Sequence, residues 1–386
     1  MLLNIHLNNI SSIESTDINF TKDSYKFRSD NILDEVVNPL SIYGHNGSGK
    51  TAVVRALGQL IDMMILPPNA ITPFIVNDFQ LKKAIRNARA NSKKVIDESI
   101  GTIILTFKMD SSIFVYELST TTAGFVTKEK LVKDNKNVYV YNYDSGLRFR
   151  SEVIDKSVPI SVVPQLRRLA SLRVQDSDVQ VAYSYLSNFT FVDLPNKNNG
   201  YFVHSRVYEF STAHDLLVKY SEQVKELLAK YDDYPKYLIK KDTSNAALNN
   251  RRNPYYLVIE DGEFKEELDI GFMSKGMYNN SLLLSLLLSA PDNGVIFIDE
   301  IEQALHPSTV RTFLDIVKSK KIQLLFTSHN TNILQSLRPD QIYFAKWRKG
   351  HSKYFRLSNI YPNIREVNNI EKMYLSNIFE EYMNGE

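Results

Sequence analysis

The sequence predicts an α/β fold: a mostly parallel sheet, an antiparallel β lobe beside it and a helical insertion. Three observations carry that expectation. A short apolar run at 41–43 enters a glycine cluster and emerges in a helical pattern, the strand–loop–helix order of a loop that holds phosphates. From Gly271 onward, helical and buried-strand patterns alternate, as a parallel sheet requires. Between Phe125 and Pro164, short alternating segments are separated by Asn, Asp and Lys turns and read as antiparallel strands.

Taken in order, apolar and polar residues alternate from Met1 to about Phe20, which predicts opening strands. A helix follows from Lys50 to about Met64 and is stopped by Pro67, Pro68 and Pro73. A second helical stretch over 79–95 carries Lys82, Lys83, Arg86, Arg89, Lys93 and Lys94 without an acid. The segments 101–107 and 113–118, split by Asp110, Ser111 and Ser112, form a β-hairpin pattern. The stretches 165–189 and 211–231 read as helices. A helix after Gly276, a buried strand at 295–298, a helix near 308–319 and a strand at 322–327 complete the pattern. The expected division is 1–160 for a first lobe with its β subdomain, 161–270 for a mainly helical insertion and 271–386 for a second lobe. No heptad run is long enough for an extended coiled coil.

Composition narrows the function classes. The 386 residues are 43% hydrophobic and 23% charged, an ordinary globular balance with material for a large core. No apolar run approaches membrane-spanning length, so a cytoplasmic protein without a membrane partner is expected. Cysteine is absent, which excludes disulfides and thiolate metal sites. A net charge of +2 is too small to argue for a polyanion partner, so any basic surface must be local.

The chemistry sits in two clusters. Gly44-His45-Asn46-Gly47-Ser48-Gly49-Lys50-Thr51 fits the eight-position phosphate-loop pattern and stands between a strand and a helix, the context that pattern needs. Its glycines let backbone N–H groups wrap phosphates at a helix N-terminus, Lys50 reaches the β- and γ-phosphates, and the Thr51 hydroxyl ligates Mg²⁺. The strand 295–298 delivers Asp299 and Glu300 at its C-terminal end, where open α/β sheets hold ligands. Asp299 suits a Mg²⁺ ligand and Glu300 a general base toward water. Alone, this pair could equally be a solvated acidic turn. Beside the loop, the two make a P-loop NTPase that holds a nucleoside triphosphate with Mg²⁺.

Ser274-Lys275-Gly276 precedes a long apolar helix 25 residues before Asp299, and His329 ends a strand 30 residues after it. With these four motifs in this order, the chain resembles the heads of ABC-type ATPases, where a Ser-x-Gly signature and a switch histidine hold those places. Glu302, Leu305-His306-Pro307 and Thr327-Ser328-His329 resemble, more narrowly, the compact AAA-type ATPases of the OLD-like group, many of them in PARIS-like or abortive-infection anti-phage systems. The opening 2–10 resembles the first strand of RecF and SMC-type ATPases. The resemblance covers about 1–60 and 270–375. It implies that Ser274 and Gly276 cap the γ-phosphate held by a second copy, so that the heads form a dimer or higher homo-oligomer. The resemblance alone implies that the nucleotide is ATP. It also implies that Glu300, His329 and Lys50 carry hydrolysis, that Asn8 and Asn9 approach the adenine and that His306 sits in a loop communicating across the dimer. The signature departs from that of transporters, with Lys275 and Met277 where they have glycine and glutamine, and only Gln80 and Gln165 offer themselves as the glutamine that senses the γ-phosphate.

The expected output is an ATPase switch, the sensor or regulator of an anti-phage system. A phage protein would be the trigger and a separate polypeptide, such as a Toprim nuclease, the effector, because only 57 residues follow His329. Glu366, Glu371, Glu380 and Glu381 in that tail suit a helical surface better than a metal site. The alternative is a RecF-like or SMC-like clamp on nucleic acid, for which the basic run 82–94 and the group Arg167, Arg168 and Arg173 are candidates; a solvated helix face is the commoner role for such runs. A third option is a scaffold that binds ATP and barely turns it over. The 22 Tyr and 20 Phe form no base-stacking motif.

Overall fold

The computed structural model describes residues 1–71, 100–121, 123–150, 152–155, 158, 161–172, 176–193, 202–204, 213–229, 237–242, 254–261, 264–303 and 309–384. The basic run at 82–94, Gln80, Arg173 and His306 lie outside them. Among the described residues no helix is long and apolar enough to cross a membrane.

The chain opens with the hairpin β1 (Leu2–Ile10) and β2 (Ile13–Asn19), then β3 (Leu40–Tyr43) and α1 (Lys50–Ile65). A meander follows: β4 (Ile100–Met109), β5 (Ser112–Thr121), β6 (Val126–Lys133), β7 (Lys136–Asn142), β8 (Gly146–Phe149) and β9 (Glu152–Asp155). Next come α2 (Gln165–Ser171), α3 (Ser177–Ser187), β10 (Phe189–Asp193), β11 (Phe202–His204), α4 (Ala213–Leu228), β12 (Tyr237–Lys241), β13 (Tyr255–Asp261) and β14 (Phe264–Asp269). The last third holds α5 (Lys275–Ser289), β15 (Val295–Asp299), α6 (Val310–Ser319), β16 (Gln323–Thr327), β17 (Ile342–Arg348), β18 (His351–Arg356), α7 (Ile370–Leu375) and α8 (Ile378–Asn384).

Among the described residues one fifteen-stranded sheet runs β9-β8-β7-β6-β5-β4-β1-β2-β18-β17-β3-β16-β15-β10-β11. Its functional half is parallel, with β17, β3, β16, β15 and β10 pairing in succession. β15 and β16 are buried along their whole length, with apolar residues at 295–298 and 324–326, because both faces of the sheet are covered there. The lobe half, from β1 and β4 to β9, is antiparallel. In β4 the residues alternate between buried and half-buried. β12, β13 and β14 form a separate three-stranded sheet.

The pattern over 165–189 resolves into two helices, because Asp176 accepts hydrogen bonds from the N–H groups of Asp178 and Val179 and restarts the helix. The stretch then turns into β10, which enters the parallel half beside β15. α1 is tied down at its far end. The guanidinium of Arg167 donates to the carbonyls of Met63 (3.1 Å) and Leu66, and the Tyr183 hydroxyl donates to that of Met64 (3.2 Å). Arg167 is thus a helix cap facing inward and not part of a free basic surface. The N-terminus of α2 is held in turn by Glu129 of β6, which is 1% exposed. Its carboxylate accepts from Tyr116 (2.9 Å), Tyr139 (2.7 Å) and the N–H groups of Leu166 (2.8 Å) and Gln165. Burial pushes its pKa up against those hydrogen bonds. Gln165, buried here in the lobe, is not among the residues lining the cavity at the phosphate loop.

Candidate functional site

The loop Gly44–Gly49 leaves the C-terminal end of β3 in the middle of the parallel half, so the start of α1 faces the ends of β15 and β16. Gly49 sits at φ +98, and a Cβ there would lie 1.9 Å from the Ser352 hydroxyl of β18, so both conformation and space demand glycine. The hydroxyl of Tyr354 donates to the Gly49 carbonyl at 2.7 Å, and Ser352 bonds Ser12 of the first hairpin at 2.7 Å. The Ser48 hydroxyl is buried without a hydrogen-bond partner among the described residues.

Lys50 is 5% exposed and donates to the carbonyls of Gly44 (2.8 Å) and His45 (3.0 Å). Burial lowers its pKa, opposed by the negative charges of Glu300, Asp299 and Glu302. The Thr51 hydroxyl donates to Asp299 at 3.1 Å, and Thr327 of β16 donates to the same oxygen at 2.6 Å. Asp299, 1% exposed, has its pKa pushed up to about 6 by burial, with the two threonines and Arg55 pulling the other way. Asp193, at the end of β10, is its register partner across the parallel ladder and adds repulsion. Arg55 of α1 reaches Asp193 at 3.7 Å.

Glu300 leaves the strand at φ +50, which turns its side chain out of the core; its N–H donates to Thr327 (2.8 Å), and Gln303 donates to its carboxylate. Glu302 accepts from the Ser328 hydroxyl and the His329 N–H, both at 2.8 Å, and so fixes the strand end that carries the imidazole. The His329 pKa is lowered by partial burial and by Lys50, which leaves the ring neutral at pH 7. Lys50, Thr51, Glu300 and His329 line one cavity of about 240 Å³, with Asn46, Gly47, Gly49, Arg55 and Gln59, and with Ile10, Ser11 and Ser12 from the first hairpin. Asn8 and Asn9 are not among its lining residues.

Ser274 stands elsewhere. It caps α5 by accepting from the Met277 N–H at 3.2 Å, and Ser274, Lys275 and Gly276 are all exposed. None of the three lines the cavity that holds Lys50. Sequence reasoning missed Gln303, Thr327 and Asp193 as neighbours of the carboxylate pair, and the anchoring task of Glu302. Gln303 and Glu302 were readable as the next turn after Glu300. Asp193 had no signal, lying more than 100 residues from its partner strand in the chain.

The donors present, one hydroxyl and one buried carboxylate beside a lysine, form a hard-oxygen set that fits Mg²⁺ shared with phosphates. Among the described residues no cluster of three His, Asp or Glu could hold a metal unaided.

The fold is similar to solved SMC heads. One, bound to the C-winged helix domain of ScpA, matches at 13% identity over 93% of this chain and 99% of that one, with a TM-score of 0.50. The SMC head domain from Thermotoga maritima matches at 13% identity over 92% and 98%, with a TM-score of 0.42. A head with an extended coiled coil from Pyrococcus furiosus, bound to the C-terminal domain of ScpA, matches at 12% over 99% of both chains, with a TM-score of 0.48. No curated protein matches the sequence. The family model described as "AAA domain, putative AbiEii toxin, Type IV TA system" matches residues 40–335, which is most of the chain, and the protein belongs to that family of AAA-type ATPases.

Proposed function

We propose that the protein is an ATP-hydrolysing switch whose site is completed by a second copy. The observation that carries this reading is a division of parts. Lys50, Thr51, Asp299, Glu300 and His329 meet in or beside one cavity, while Ser274 and Gly276 lie exposed and outside it. Gly276 adds support. It lies in the first turn of α5 with helical φ, and a Cβ there would meet nothing within 4 Å, so nothing among the described residues requires glycine. A close approach from outside the chain is what such an open helix start accommodates, and its N–H groups favour an anion.

In this reading the N–H groups of the loop and the Lys50 ammonium hold the β- and γ-phosphates. Thr51 and Asp299 hold Mg²⁺, which when bound screens the phosphate charge. Glu300 accepts the proton of the attacking water, and neutral His329 donates a hydrogen bond toward the γ-phosphate. The stretches 1–160 and 271–386 supply the two halves of the catalytic cavity, and 161–270 adds β10 beside β15.

The toxin–antitoxin description of the family supports a finer proposal. The chain is the sensor or regulator of an anti-phage system, and its nucleotide-driven assembly holds or releases a separate nuclease. Such a switch needs no duplex binding; a steep salt-dependent affinity for DNA would favour a RecF-like or SMC-like clamp.

Subunit mixing tests the composite site. Lys50→Ala and Ser274→Arg protomers should each fail to hydrolyse ATP alone. Mixed, they should recover up to about a quarter of normal activity, since half the dimers are mixed and each has one intact site. No recovery, with both variants folded, would overturn the trans arrangement.

A further inference from the structure

Immediately before Ser274 the chain makes a tight 3₁₀ turn, Ile270–Phe272, pinned by the Asp269 carboxylate, which accepts from the Gly271 N–H at 2.7 Å. Ile270 and Met273 are buried in the core on either side of it. Phe272, between them, is 77% exposed, the most exposed aromatic side chain among the described residues. A lone apolar side chain on a surface is ordinary. This one is distinguished by its place: it stands on a core-anchored turn within two residues of Ser274, in a stretch where Ser274, Lys275 and Gly276 are exposed as well.

The cavity at the phosphate loop lacks what Phe272 offers. Beyond Lys50 and Thr51 it extends along Arg55, Ala56 and Gln59 toward Ile10, Ser11 and Ser12, and among the described residues no Phe, Tyr or Trp lines it; its one ring, His329, belongs to the phosphate end. A nucleoside leaving the phosphates in that direction meets Ile10 and Ala56 on one side and has no ring to stack on. Two residues of backbone span at most about 7 Å, and the benzyl side chain reaches further, so a copy that sets Ser274 against the γ-phosphate can carry the Phe272 ring out to where the base stands.

We propose that Phe272 of one protomer stacks on the purine base bound by the other, which makes base contact a property of the assembled dimer and not of the single chain. The proposal rests on the composite-site reading above. Base–aromatic stacking tolerates different bases because each has a π-face, so Phe272 supplies affinity and assembly strength while hydrogen-bond selection is left to the first hairpin.

The test uses full-length Glu300→Gln protein, in which ATP is held without turnover, and measures ATP-driven dimerisation by analytical ultracentrifugation. Phe272→Ala should weaken the dimer about 10-fold per site, the equivalent of about 1.4 kcal/mol, and about 100-fold overall because two sites close together. Phe272→Trp should retain it. Binding of ATP to the dilute monomer and the thermal midpoint should not change. In a Trp347→Phe background the introduced indole should be quenched by the base only on assembly. Equal dimerisation by Phe272→Ala would overturn the proposal and leave the composite site standing. So would a weakened dimer in which the indole emission shifts blue without quenching, the mark of packing on protein. Failure of the Glu300→Gln protein to dimerise with ATP would bring down the composite site and this inference together.

Discussion

The loop between β3 and α1 and the start of α5 are both glycine-containing helix N-termini, yet they are finished differently. At the first, Gly49 is fixed by its φ and by Ser352, its carbonyl is held by Tyr354, and Lys50 has two acceptors within the loop. At the second, Ser274 caps its own helix, and a Cβ on Gly276 would meet none of the described residues. The residue choices of the loop are explained by the folded chain, whereas at the start of α5 no described residue accounts for Gly276, which the proposed second copy would explain. One half of the proposed site is a finished cradle and the other half is a lid.

Four measurements can break or sharpen that contrast. The largest effect belongs to the cradle: Glu300→Gln should slow ATP hydrolysis by about 10²- to 10⁴-fold in a phosphate-release assay, with ATP binding retained. Hydrolysis at the normal rate would remove Glu300 from the machinery and turn the protein into a binding scaffold.

Next comes the buried carboxylate. The Asp299 pKa is raised in the folded protein to about 6, so the nucleotide-free fold is favoured while Asp299 is protonated. That contribution is complete below the unfolded value near 3.8 and is lost as pH rises through 6, on the order of 3 kcal/mol in all. Asp299→Asn should flatten the stability profile between about pH 4 and 6 in denaturant titrations. Mg²⁺ with ATP should bind with proton release below pH 6, read by calorimetry in two buffers; a pH-independent difference between the two proteins would refute the burial argument.

Gly49→Ala places a Cβ against Ser352 at positive φ and should cost roughly 2–3 kcal/mol of stability, together with nucleotide affinity. The smallest effect is the most discriminating. Gly276→Ala should stabilise the isolated chain by about 0.5–1 kcal/mol and yet abolish ATP-driven association. A variant that is more stable and still assembles would show that the lid has no close neighbour.

What could be read in advance follows from where information is stored. The loop 44–51 and the pair Asp299 and Glu300 are local patterns whose spacing is set by phosphate geometry, and the parallel strands β15 and β16 announce themselves because burial on both faces gives each an unbroken apolar run, 295–298 and 324–326. The helix at 275–289 was visible from its leucines. Strand β10 and Asp193 were not, because pairing across more than 100 residues of chain leaves no periodic trace. The same holds for Ser12 with Ser352 and for Tyr354 on Gly49, short bonds between residues more than 300 positions apart. The reading of 165–189 as one helix failed at Asp176, whose side chain offers N–H groups a better partner than the preceding turn does.

The far end of α1 has its own consequence. Arg167 and Tyr183 grip the helix that begins at Lys50, and the helix bearing Arg167 is in turn riveted to the strands of the lobe by Glu129. The helix that starts at the phosphate loop is therefore joined to β5, β6 and β7 by direct hydrogen bonds through a single intermediate helix. Removing the Glu129 carboxylate would leave the N–H groups at the start of α2 and the hydroxyls of Tyr116 and Tyr139 without their shared acceptor and would cut that connection.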